Sequence, residues 1–214
     1  MNILGIDLSL NATGLAMLSL DDTEPPDFSN LKMRKYQRKS VGPPFPSTYQ
    51  GCVISSSAEA GTLQRWESVL LPILAFAEHA SAVFIEGYAF SRNMSFTRAT
   101  TEFGGIVRYH LRKMDLVPIE ISPSALKKFV TGNGAADKNQ ILAAVRTEFD
   151  CPLQDHNMAD SFGLVEIGRA LYLPEEQGLL LPRWQREVIG AIKYPDAKGR
   201  KAPTRKLNFG EATT

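Results

Sequence analysis

A carboxylate closes the first apolar run of this chain, and its placement constrains the fold more than any other feature. In MNILGIDLSLNATGLAML, Asn2 to Ile6 reads as a short buried strand and Ala12 to Ser19 as a second. Ser9 and Asn11 lie in a tight connection between them, and Gly14 falls just inside the second strand. Asp7 thus ends a strand that is apolar on both faces. An unpaired charge in such a place costs several kcal/mol unless a partner or metal compensates. Asp7 either caps a turn or holds a cation, and the rest of the chain decides between the two.

Two further acids share its surroundings. Glu86 ends the run AVFIE, a central strand by its β-branched and aromatic content, and Asp160 lies early in a final core helix, in DHNMADSFGLVEIG. At each of these positions a purely structural role favours Leu or Val. Adjacent parallel strands place Asp7 and Glu86 at one sheet edge, and a helix packed there brings Asp160 beside them. Converging carboxylates repel, so they demand divalent cations. Oxygen-only donors suit Mg²⁺ or Mn²⁺, and two such ions roughly 3.5–4 Å apart serve phosphodiester cleavage.

The remaining pattern frames these acids in an α/β layer fold. Leu63 to Ala80 and Thr97 to Met114 have helical spacing, and LVPIEIS is a short strand. PSALKKFV starts a helix with Ser122 as N-cap and Pro123 at its first position; Lys138 to Phe149 is a helix, and the last core helix runs from Asp155 or His156 to about Leu171. Residues 21–62 are rich in Asp, Pro, Ser and Gly and read as a long loop with one strand near Leu31 to Arg38. The formal net charge of +1 excludes no partner, but Lys198, Arg200, Lys201, Arg205 and Lys206 crowd the C-terminus, as a solvated tail or a phosphate-reaching arm does. Cys52 and Cys151 have no metal-type spacing and fit a reduced compartment. No apolar run spans a bilayer and no signal peptide opens the chain, so a cytoplasmic location is expected, with no membrane partner.

Four segments, GIDLSLNATGLAML, VFIEGYAFSRN, VTGNGAADKNQI and HNMADSFGLVEIG, resemble in order and spacing the motifs of the RuvC family of Holliday-junction resolvases. The resemblance covers roughly residues 1–20 and 82–171. It implies an RNase H-like fold with a mixed five-stranded sheet flanked by helices. It also implies a homodimer acting on four-way DNA junctions by paired, two-metal-dependent hydrolysis. The products would carry 5′-phosphate and 3′-hydroxyl ends. Metal carboxylates fall on Asp7, Glu86 and Asp160, an active-site lysine on Lys138, and a phosphate contact on Lys127. The nuclease domain then covers residues 1–173, with a loop-rich insertion at about 21–62, and residues 174–214 form an extension with a basic tail. Insertions of this kind suit a bacteriophage-type branch.

The chain departs from the family pattern in ways that matter chemically. Leu8-Ser9 follows Asp7 where the family commonly has Pro-Gly. The family's fourth ligand, usually Asp or His, falls on Asn157, whose amide oxygen coordinates without charge. His156 neighbours Asp160 equally well on a helix, and Asp155 is either a ligand or the N-cap. Lys128, Arg92 and Arg98 suit the phosphate backbone, whereas Tyr88 and Phe90 are either core residues or stacking platforms for unpaired bases. Met94 and Phe96 either insert or pack, and Gly104-Gly105 permits close helix approach. Two rival readings follow, a non-catalytic junction-binding protein and a nuclease acting on other branched DNA or structured RNA. An actin-type ATPase needs a second glycine-rich phosphate hairpin, which the sequence lacks.

Overall fold

The computed structural model describes residues 1–20, 34–37, 48–57, 61–88 and 94–193. In chain order the strands are β1 (Asn2–Asp7), β2 (Ala12–Ser19), β3 (Arg34–Gln37), β4 (Thr48–Ser55), β5 (Ala82–Glu86) and β6 (Ile119–Ile121). The helices are α1 (Thr62–Ala77), α2 (Met94–Lys113), α3 (Pro123–Thr131), α4 (Lys138–Glu148), α5 (His156–Leu171), α6 (Glu175–Gly178) and α7 (Arg183–Lys193). They build one mixed sheet in the order β3-β4-β2-β1-β5-β6. Strands β1, β2, β4 and β3 pair antiparallel in succession, and β5 and β6 run parallel to β1. The sheet has six strands where the resemblance implies five: the strand expected near Leu31 to Arg38 is β3 at the edge, and β4 is the strand the sequence reading did not expect.

Side-chain alternation splits the core into two layers. Ile3, Leu18 and Phe84 pack with α5, α3 and α4 on one face. Leu4, Ile6, Leu15, Met17, Val83 and Ile85 pack with Val69, Ile73 and Phe76 of α1 and Phe103 and Val107 of α2 on the other. The central helix α5 is buried almost all round, because the sheet lies on one side of it and α3, α4 and α7 on others.

Glycines set how closely α5 lies against the sheet. A Cβ on Gly5 would collide with the Ser161 carbonyl oxygen, and one on Gly14 with the backbone of Asn157. On the helix side, a Cβ on Gly168 would meet Ile3 and Phe84, both at 2.7 Å. Backbone atoms cannot swing aside as a side chain can, so Gly5 and Gly14 exclude every larger residue.

Helix ends follow the sequence signals closely. Ser122 caps α3 by accepting from the Ala125 N–H, and Pro123 occupies the first turn. Asp137 and Gln140 form a capping box at α4, and Asp155 caps α5. Two elements differ from the sequence reading. Thr48–Ser55 is a core strand rather than loop, because β2 is buried on both faces and needs an antiparallel partner on its open side. Its Gln50, Gly51 and Ser55 dilute the strand signal. The second is Arg183–Lys193, which is helix α7 and sends Val188 and Ile189 into the same core as α5. The basic residues 198–206 lie outside the described residues.

The glycine contacts give a direct stability test. Gly5→Ala should lose about 3 kcal/mol through overpacking against backbone. Gly105→Ala, with nothing within 4 Å of its added Cβ, should gain about 0.5–1 kcal/mol from helix propensity. Urea denaturation reads both, and a Gly5→Ala midpoint equal to wild type would mean that α5 does not pack this closely.

Candidate active site

Strand register brings the first two acids together. Ile6 pairs with Ile85 in the parallel β1–β5 ladder, so Asp7 and Glu86 are level at the strands' C-terminal ends. Asp7 shares the face of Ile3, and Glu86 that of Phe84, so both side chains lie on the α5 side. Asp7 also pairs with Gly14, the residue pressed against Asn157 at the start of α5. Three residues later on that helix comes Asp160. Asp7 and Asp160 are each 7% exposed, and Glu86 is half-buried.

Burial dominates the electrostatics. The Asp7 carboxyl is pushed well above the usual range, first by desolvation, then by the Glu86 and Asp160 charges. Glu86 is raised by desolvation and by Asp160. Asp160 is raised by desolvation. A side-chain hydrogen bond between Asp7 and Glu86 raises the first and lowers the second. Lys138 pulls all three carboxyls down, and Lys127 pulls down Glu86 and Asp160. Neither lysine offsets burial. Among the described residues, no three His, Cys, Asp or Glu side chains are close enough to form a coordination shell as they stand.

The two lysines arrive from the two ends of one loop. Lys127 is half-buried on α3, and Lys138 is exposed at the first turn of α4. Thr131 and Asn133 hold the loop through bonds to Lys127 O, Asn133 O and the Ala135 N–H. At the start of α5, Asp155 accepts from the Asn157 and Met158 N–H groups at 2.8 and 3.1 Å. Its carboxylate is thereby engaged as a cap. His156 Nδ1 lies 3.2 Å from the Lys138 carbonyl oxygen, tying α4 to α5, and its ring lowers Asp160.

Other residues singled out in the sequence stand further from the acids' shared field. Lys128 pairs with Glu187 of α7 at 2.7 Å, and Arg98 pairs with Glu102 at 2.8 Å along the exposed face of α2. Tyr88 is half-buried; its hydroxyl accepts from Arg108 at 2.9 Å, and the guanidinium carbon lies 4.4 Å from its ring centroid. The Tyr88 ring also fills the space above Gly104, where a Cβ would lie 2.5 Å from its hydroxyl oxygen. Phe90 and Arg92 lie outside the described residues.

Sequence reading missed Arg65, which braces the turn after Asp7. Its guanidinium donates to Asn11 Oδ1 at 2.8 Å and to Ser56 Oγ at 3.2 Å. These partners are remote in sequence or lie beyond an unrecognised strand, so no local pattern announces them.

Comparison with known proteins bears on this arrangement. The sequence model of the family described as "Crossover junction endodeoxyribonuclease RuvC" matches residues 51–164, more than half of the chain. No curated protein matches the chain in sequence. Among solved structures, Thermus thermophilus RuvC is similar with a TM-score of 0.53 at 16% identity, covering 77% of this chain and 90% of that one. T. thermophilus RuvC in complex with a Holliday junction substrate gives a TM-score of 0.56 at 15% identity, covering 77% and 89%. At these identities the likeness establishes the fold, an RNase H-like sheet with flanking helices.

Raised carboxyl pKa values carry a stability consequence with a definite sign. Above the ordinary carboxylate value of about 4, the folded state holds protons that the unfolded chain has released. Stability therefore falls as pH rises through that window, until the raised native value is passed. Asp7→Asn should be more stable than wild type at pH 7 in chelator, with the difference closing as pH falls to the ordinary carboxylate value. Equal denaturation midpoints throughout would show that Asp7 is not desolvated.

Proposed function

The chain belongs to the RuvC family of crossover junction endodeoxyribonucleases, and on that footing we propose that it resolves four-way DNA junctions by paired, two-metal-dependent phosphodiester hydrolysis. The observation that carries the chemistry is the field shared by Asp7, Glu86 and Asp160, in which desolvation outweighs two nearby lysines. That donor set is all oxygen, and two of its members are close enough to share a hydrogen bond. Both features fit a hard divalent cation.

In this reading Asp7, Glu86 and Asp160 hold the ions, and the Asn157 amide oxygen serves as the fourth, uncharged donor. Two Mg²⁺ or Mn²⁺ ions would there activate the attacking water and stabilise the leaving oxygen. Lys138 offsets charge that builds on the scissile phosphoryl group, and Lys127 holds a phosphate. Lys128, Arg98 and Arg92 extend the backbone-binding face. The first two come from solvent-screened ion pairs that a phosphate can replace. Tyr88, held by Arg108, and Phe90 stand on the segment after Glu86, where bases unpair at the crossover. A homodimer supplies one site per strand, because a two-fold substrate suits a two-fold enzyme. Residues 1–173 form the nuclease unit, and the described part of 174–214 docks back on it through α7. A cytoplasmic place agrees with the described helices, none of which is long and apolar enough to cross a membrane.

The test uses labelled synthetic four-way, three-way and linear DNA with Mg²⁺, Mn²⁺ or chelator. Wild type should cut the four-way junction in metal and not in chelator. Asp7→Asn, Glu86→Gln and Asp160→Asn should each abolish cleavage and leave junction affinity near wild type. Binding without cleavage by wild type in either metal would make this a non-catalytic junction-binding protein. Preference for a fork or a structured RNA would move the substrate and keep the chemistry.

A further inference from the structure

The described extension beyond the nuclease unit makes one specific set of contacts. Helix α7 lies past the last residue matched to the family, and it packs against α3. Helix α3 carries Lys127 and ends at the loop that leads to Lys138. Its C-cap is Gly132, left-handed at φ 79°, with its N–H donating to Lys128 O at 2.8 Å. The indole of Trp184 covers this cap: a Cβ on Gly132 would sit 3.6 Å from Trp184 Cδ2 and 3.7 Å from Cε2. Gln185, 8% exposed, donates through Nε2 to the Phe129 carbonyl at 3.2 Å. That carbonyl is among the last four of α3, which have no partner within the helix. Glu187 takes Lys128 Nζ at 2.7 Å and Arg183 Nε at 2.9 Å. Successive helical residues point about 100° apart. Lys128 therefore turns to α7 while Lys127 turns to the carboxylates.

We propose that α7 is a positioning brace: Trp184 and Gln185 fix the C-cap of α3 and the 131–137 loop, and so hold Lys138 in register with the carboxylate site. The inference rests on the reading that Lys138 acts at that site. Three contacts of different chemistry meet the same turn: an aromatic face on a glycine, an amide on an orphan carbonyl, and an ion pair one turn back. From Gly132 the chain has six residues in which to reach Lys138, and Asn133 and the Asp137–Gln140 capping box tie most of them down. A tilt at the cap is thus passed to Lys138 rather than absorbed.

The test compares Trp184→Ala, Trp184→Phe and Gln185→Met in the full chain, with a labelled four-way junction and Mg²⁺. Trp184→Ala should lower the single-turnover rate at saturating enzyme roughly ten- to a hundredfold, the scale of a small misplacement of a catalytic group. Junction affinity should hardly change, and Trp184→Phe should recover most of the rate. Gln185→Met should give a smaller loss in rate with the same unchanged affinity. In a Lys138→Ala background Trp184→Ala should cost nothing more, because the brace acts through that lysine. A full additional loss there would assign Trp184 a general structural role and overturn the proposal. A wild-type rate for Lys138→Ala would remove the reading on which the brace depends. Amide hydrogen exchange tests the brace without cleavage: Trp184→Ala should speed exchange over residues 132–138 and leave β1 and β5 protected. Unchanged exchange in the loop, or loss of protection throughout, would overturn it.

Discussion

The backbone of α5 resting on Gly5 and Gly14 is the contact on which this molecule depends. Two strands give up side chains at those positions, and a helix carbonyl occupies the space. Because Gly14 is the register partner of Asp7, the same approach that seals the core also sets the depth of Asp160 beside the strand ends. Packing and chemistry are one constraint here. A residue that loosened the helix would also withdraw a carboxylate.

That arrangement is costly in the absence of a cation. For Asp7, Glu86 and Asp160, desolvation is the largest influence and raises each carboxyl, while Lys138 and Lys127 give only partial relief. An interior built for stability alone would place Leu or Val at these positions. The chain instead retains three acids whose charged forms the fold disfavours, which is the pattern expected where function sets the residue and the surrounding core compensates.

How much of this could be read in the sequence depends on how local each cause is. Caps are local, so Ser122-Pro123 and the start of α5 are legible in the sequence. Apolar periodicity located α1, α2 and β5 for the same reason. Strand β4 was not legible: its Gln50 is buried in a sheet whose need for a partner lies in β2, over thirty residues away. Helix α7 lies in a stretch that reads in the sequence only as an extension over residues 174–214, because its contacts with α3 are tertiary. For the fourth ligand, the motif spacing offers Asn157, Asp155 and His156 without choosing between them. The structure commits Asp155 to the N–H groups of the first turn, a local role that its position just outside the helix already suggested.

His156 shows what the site gains from such commitments. Its Nδ1 meets the Lys138 carbonyl, so the first turn of α4 is joined to the first turn of α5. Lys138 approaches the carboxylates on a long, flexible side chain whose tip alone would be poorly placed. Its main chain, however, is anchored from two sides, by His156 and by the capping box at Asp137. Asp160 rides on the helix that His156 begins, and Asp7 lies beneath that helix at Gly14. The main chain at Lys138 and the carboxylates are therefore fixed to one frame, and relative motion between them requires breaking the α4–α5 bond or lifting α5 from the sheet. A side chain set on a fixed main chain has fewer places to reach, so this frame limits the positions open to Lys138 through main-chain contacts rather than through the mobile end of its side chain.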